Sequence, residues 1–160
     1  MESFLKFVKA LSQILHVIAG VSLTFLVALT LVDVILRGFN SPIVGTYELV
    51  ALAGGVAAGF ALPSTSWFRQ HVYIDFFIDK LGRKVKNAVN VATRVLVTAL
   101  FVVIGWNLME YGAGLRKSGE VTLTLQIPFY PVAYGIGMCC FIQCLVMVCD
   151  IIRIYRGEYE

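Results

Sequence analysis

Residues 32–49 read VDVILRGFNSPIVGTYEL, and they hold Asp33, Arg37, Asn40 and Glu48 between two runs that are otherwise almost wholly apolar. Charges this close to hydrocarbon-compatible segments are costly unless they sit at a membrane surface or meet partners. The stretch therefore reads as a short polar turn joining two membrane spans, and the rest of the chain is placed from it.

Outward from this break, four segments are long and apolar enough to cross a bilayer: about 11–36, 47–67, 85–110 and 128–152. A span needs about 20 apolar residues for a hydrocarbon core of roughly 30 Å. Of the 160 residues 59% are hydrophobic and 14% are charged, against about 25% charged in a soluble domain. The expectation is an all-α integral membrane protein with one four-helix domain over residues 1–160. The first apolar run, with Lys6 and Lys9 ahead of it, is longer than the 7 to 15 or so residues of a signal-peptide core. It is expected to remain as the first span.

Basic residues in short loops are retained on the cytoplasmic side. Lys6, Lys9, Arg69, Lys80, Arg83, Lys84, Lys86, Arg153 and Arg156 fall on one side, and Arg37, Arg116 and Lys117 on the other. Both termini are therefore expected in the cytoplasm. The formal net charge of +3 points to lipid headgroups and not to nucleic acid. Residues 68–84 are too short and too charged to cross. Read as a helix, they put Ile74, Phe77, Ile78 and Leu81 on one face, with Asp75, Asp79 and Arg83 turned away, as in a helix lying in the membrane surface.

Within the spans, Ser12, His16, Gly20, Thr24 and Ala28 recur every four residues. Such small-residue stripes let membrane helices approach one another, so this face is expected to pack against protein. Gly55 and Gly59 make a GxxxG pattern in the second span, and Pro63 removes a backbone donor near its inner end. Ala133, Gly137, Cys140 and Cys144 continue a packing face in the fourth. All four cysteines lie in that one helix; a single helix cannot bring four thiolates to one ion, and they read as small soft apolar side chains. No second intramembrane histidine accompanies His16, which excludes bis-histidine haem ligation. No cofactor is expected.

Asp33 and Arg37 have the i,i+4 spacing of an ion pair; the competing reading makes Asp33 a proton-coupling carboxylate of a small antiporter. Glu48 suits the first turn of the second helix, where the dipole attracts negative charge. Arg94, inside the third span, can reach the interface by stretching its stem outward or pair with an acid at equal depth on a neighbour; Asp150 of the fourth is the depth-matched candidate, and a contact between the two is expected. Between those spans Val121, Leu123, Leu125 and Ile127 alternate with Thr122, Thr124 and Gln126, a period-two signal for an extended segment. Pro128 and Pro131 then suit the start of the fourth helix.

No catalytic constellation is present: no nucleophile with a base, no phosphate-binding glycine loop, no HExxH and no carboxylate pair in a polar cavity. The ionisable groups cluster at the two membrane surfaces and leave the middle nearly neutral. A transporter by itself would carry a polar midplane site. The residues alone thus describe a membrane subunit that works with a larger partner, the alternatives being the small antiporter or the membrane anchor of a redox complex.

Three groups of residues carry a resemblance. They are Arg37, Phe39, Asn40 and Pro42 followed by Glu48; His71, Val72, Ile74 and Asp75; and Gly119, Thr122, Leu125, Ile127 and Pro128. In this order and spacing the chain resembles the small membrane subunit (DctQ type) of the tripartite ATP-independent periplasmic (TRAP) transporters over essentially its full length. It departs from the family pattern in having Gly45 and Tyr47 ahead of Glu48. The resemblance implies a large permease subunit holding the substrate and sodium sites, a periplasmic solute receptor and organic-acid substrates. The small subunit would support the permease scaffold in the inner membrane. Arg37, Glu48, Gly119 and Glu120 are then candidates for an outer partner contact, while Gly20, Gly55, Gly59 and Gly137 serve helix packing.

Overall fold

The computed structural model describes residues 2–68 and 83–156. Four helices make up nearly all of it: α1 (Glu2–Gly38), α2 (Thr46–Trp67), α3 (Arg83–Ser118) and α4 (Tyr130–Arg156). Each contains a stretch long and apolar enough to cross a membrane, Phe4–Gly38, Thr46–Trp67, Val91–Ser118 and Tyr130–Ile152. Among the described residues there is no strand, only an isolated antiparallel bridge between Val121 and Pro128. The surface-lying helix expected at 68–84 falls mostly on residues outside those described.

The helix ends follow from local chemistry. The chain leaves α1 through Asn40, whose φ of 56° is left-handed, while Ser41 N–H donates to the Leu36 carbonyl at 3.0 Å. This satisfies an end carbonyl that the helix itself cannot pair. Gly119, at φ 68°, closes α3 in the same way, its N–H reaching the Leu115 carbonyl at 3.1 Å. Pro131 stands in the first turn of α4, where a missing donor is harmless. α2 runs on through Pro63 to Trp67.

α1 has 37 residues, about 55 Å at ~1.5 Å per residue, and so greatly exceeds a hydrocarbon core of roughly 30 Å. It must tilt or project beyond the bilayer. Packing is not that of a closed bundle. α4 packs against α3 on one flank and α2 on the other; α2 packs in turn against α1, and α1 touches α4 only briefly. The order across the layer is α1–α2–α4–α3, and α4 is the most buried of the four.

Small residues set the close approaches. A Cβ added to Gly59 would lie 2.8 Å from Ile136 Cγ1, and one added to Gly55 3.8 Å from Val132 Cγ1. These two glycines seat α2 on α4. Gly137 and Gly105 face each other across α4 and α3, a Cβ on either lying 3.4–3.5 Å from the other's carbonyl oxygen. One buried apolar cluster lies near the chain termini, where Val8, Trp67, Val146 and Cys149 meet with Leu5 against them. Away from it, Ser22 Oγ donates to the Ala53 carbonyl at 2.9 Å between α1 and α2, the kind of polar contact that holds helices together where lipid supplies no hydrophobic drive.

Candidate functional site at the two polar ends

At one end of the layer, two carboxylates hold two loops. Asp33, on α1, is 4% exposed; its Oδ2 accepts from Arg37 Nε at 2.7 Å and its Oδ1 from the Ile43 N–H at 2.9 Å. One side chain thus spans the α1–α2 turn, with Thr46 Oγ1 donating to the Ile43 carbonyl to complete it. Glu48, in the first turn of α2, does more than meet the helix dipole. Its Oε1 accepts from Thr124 N–H at 2.6 Å and its Oε2 from Leu125 N–H at 2.9 Å. Glu48 therefore ties the start of α2 to the loop between α3 and α4. Nothing in the sequence marks backbone amides as partners, so this contact had no side-chain signal.

That loop is a turn and not the extended segment its alternation suggests. Thr122 is the pivot: its N–H donates to the Ile127 carbonyl at 2.9 Å, and its Oγ1 accepts from Ile127 N–H at 3.0 Å. Gln126 takes a left-handed φ of 53°, which breaks the pleat an alternating strand needs. The turn then lays Leu125 over Gly45, whose own φ is 81°. This geometry supplies a reason for glycine at position 45. Gly119 and Glu120 are exposed beside this turn. Arg37 turns most of its side chain outward, Tyr47 is 87% exposed and Leu123 97% exposed.

At the opposite end, Arg94 of α3 and Asp150 of α4 come together as their depths suggested. Their Nε and Oδ2 atoms are 3.5 Å apart, and both residues are buried. Gln143, about two turns before Asp150 on α4, donates from Nε2 to Ser66 Oγ of α2. The fourth helix is thereby joined to both neighbours through polar groups at this end. Below it, Cys144 Sγ approaches the Thr98 carbonyl at 3.7 Å, and Cys139, Cys140, Cys144 and Cys149 are all buried along α4.

Between the two ends, Thr24, Thr30, Thr98 and Asn107 donate to carbonyls four residues back on their own helices, as isolated polar side chains in a span do. The α1 stripe behaves differently from its expectation within this chain. Ser12 is buried, but His16, Gly20, Thr24 and Ala28 face away from the other helices, and a Cβ on Gly20 would meet nothing within 4 Å among the described residues. α1 turns Val8, Ser12, Leu15 and Ala19 inward instead. Gly105 and Gly112, which seat α3 on α4 against Cys140 and Tyr134, were not singled out from the sequence, because no GxxxG spacing marks them.

Among the described residues, the carboxylates of Asp33 and Glu48 hold loops, and that of Asp150 lies beside Arg94. A search of the curated proteins finds no match. The sequence model of the DctQ component of the tripartite ATP-independent periplasmic transporters matches residues 26–157, which takes in the Asp33 turn, the Glu48 clamp, the Thr122 turn and the Arg94–Asp150 pair. The chain belongs to that family and is a small membrane subunit of the TRAP type.

Proposed function

We propose that this chain is a non-catalytic scaffold subunit, bound stably to a large permease subunit in the bacterial or archaeal cytoplasmic membrane, with both termini in the cytoplasm. The complex takes up an organic acid, coupled to sodium and fed by a periplasmic receptor; substrate and ion sites lie in the permease. The observation that carries this reading is the separation of the polar groups into two ends in a chain matched by the DctQ family. A subunit that moved solute by itself would need polar groups at mid-depth.

The antiporter reading gives Asp33 a proton to carry. Against it stands the occupation of both carboxylate oxygens by Arg37 and by the Ile43 amide. At the same end, Arg37, Glu48 and the Glu120 loop form the proposed contact with the receptor or the permease. Cysteines placed at Ser41 or Gly119 should cross-link to the receptor under transport conditions; silence at both sites removes the docking role.

The deciding experiment is reconstitution. Vesicles holding this chain alone should take up no carboxylate with or without a sodium gradient, and uptake should require the permease, the receptor and this chain together. Uptake by the chain alone, abolished by Asp33→Asn, would establish the antiporter instead.

A further inference from the structure

α2 and α3 flank α4 without packing extensively on each other, which leaves a cleft over α4 at the Arg94 end. It encloses a cavity of about 230 Å³. Leu62 of α2 with Val97 and Phe101 of α3 form apolar walls, and Arg94, Gln143 and Asp150 form a polar floor. The floor residues are buried, whereas the wall residues are partly exposed. A polar floor beneath apolar walls suits an amphiphile.

The floor also lacks something. Gln143 is 1% exposed; its Nε2 is used on Ser66, while its Oε1 has no hydrogen-bond partner among the described residues. A buried acceptor left unmatched bears its full desolvation cost. Oε1 and the Asp150 carboxylate can only accept, so the missing group is a donor. Arg94 beside them disfavours a bare cation, and the Arg94–Asp150 pair sums to zero charge, which favours a ligand carrying both signs.

We propose that this cavity seats the headgroup of an ethanolamine phospholipid. The ammonium donates to Gln143 Oε1 and Asp150, the phosphate lies beside Arg94, and the acyl chains leave along Val97 and Phe101. Choline lipids have no N–H to offer Oε1. Glycerol lipids bring a net negative charge towards Asp150. The volume is below the roughly 300 Å³ at which drug-sized pockets begin, so only the headgroup enters.

The test is native mass spectrometry of the full chain, purified with its permease subunit, after incubation with ethanolamine, choline and glycerol phospholipids of matched chains. Soluble glycerophosphoethanolamine forms a fourth arm. The wild type should retain the ethanolamine lipid roughly tenfold over the other two, the selectivity one charge-assisted hydrogen bond supplies. Gln143→Leu and Val97→Phe, the second filling the cavity from its wall, should each remove that preference; if Gln143→Leu fails to co-purify, Val97→Phe decides. Equal retention of the three lipids, retention of none, a preference unchanged in Val97→Phe, or retention of the soluble headgroup as strongly as the lipid would each overturn the proposal.

Discussion

Gly45 lies directly under Leu125: a Cβ placed on Gly45 would come within 2.5 Å of Leu125 Cγ. The α1–α2 connection and the α3–α4 connection are thus in van der Waals contact through a residue that has no side chain. The same residue has a φ of 81°, a conformation that L side chains rarely adopt.

Gly45→Ala therefore meets two obstacles, one conformational and one steric. The conformational part alone costs about 1–2 kcal/mol, and overpacking adds about 1–3 kcal/mol. Adding Leu125→Ala should remove only the steric share. Thermal unfolding of the detergent-solubilised protein should show partial, incomplete rescue; full rescue would mean that φ at position 45 does not matter.

Glu48 accepts from two consecutive backbone amides. Glu48→Gln keeps one acceptor and turns an NH₂ towards the other amide. Hydrogen–deuterium exchange at Thr124 and Leu125 should quicken several-fold, with exchange in α4 unchanged. Unaltered protection at those two amides would remove Glu48 from the role of clamp.

Gly59 sits against Ile136 with no room for a methyl group. Gly59→Val should destabilise the α2–α4 contact by about 1–3 kcal/mol, and Ile136→Ala in the same chain should restore part of it. Gly20→Val, on an open face of α1, should leave the isolated chain's melting temperature unchanged. If Gly20→Val nevertheless weakens co-purification with the permease, that face is where the larger subunit rests.

Arg94 and Asp150 are both buried, so removing one charge strands the other. Arg94→Met or Asp150→Leu alone should cost about 3–5 kcal/mol, and the double replacement much less than their sum. Melting temperatures of the four proteins give the coupling. Additive losses would show that the two residues act independently.

Much of this was legible in the residues, and the failures have physical causes. The Arg94–Asp150 pair could be read because the bilayer makes unmatched charge so expensive that equal depth nearly implies contact. Asp33 and Arg37 were readable from helical spacing. The Glu48 clamp was not, since its partners are main-chain N–H groups that every residue but proline possesses. Periodicity grouped His16, Gly20, Thr24 and Ala28 correctly on one face of α1 but could not say which way that face turns within the chain. In residues 121–127 the alternation of apolar and polar side chains was overruled by Thr122, whose hydroxyl and backbone both fold back on Ile127.

The sideways order α1–α2–α4–α3 has a geometric consequence. A tube encloses a lumen; a fence does not, however many posts it has. Among the described residues, helices arranged as a palisade present two broad flanks and no bore, so a hydrophilic solute would find no wet corridor along their length. On the proposed scaffold reading, such a palisade lends breadth and rigidity to the neighbour that it stands against.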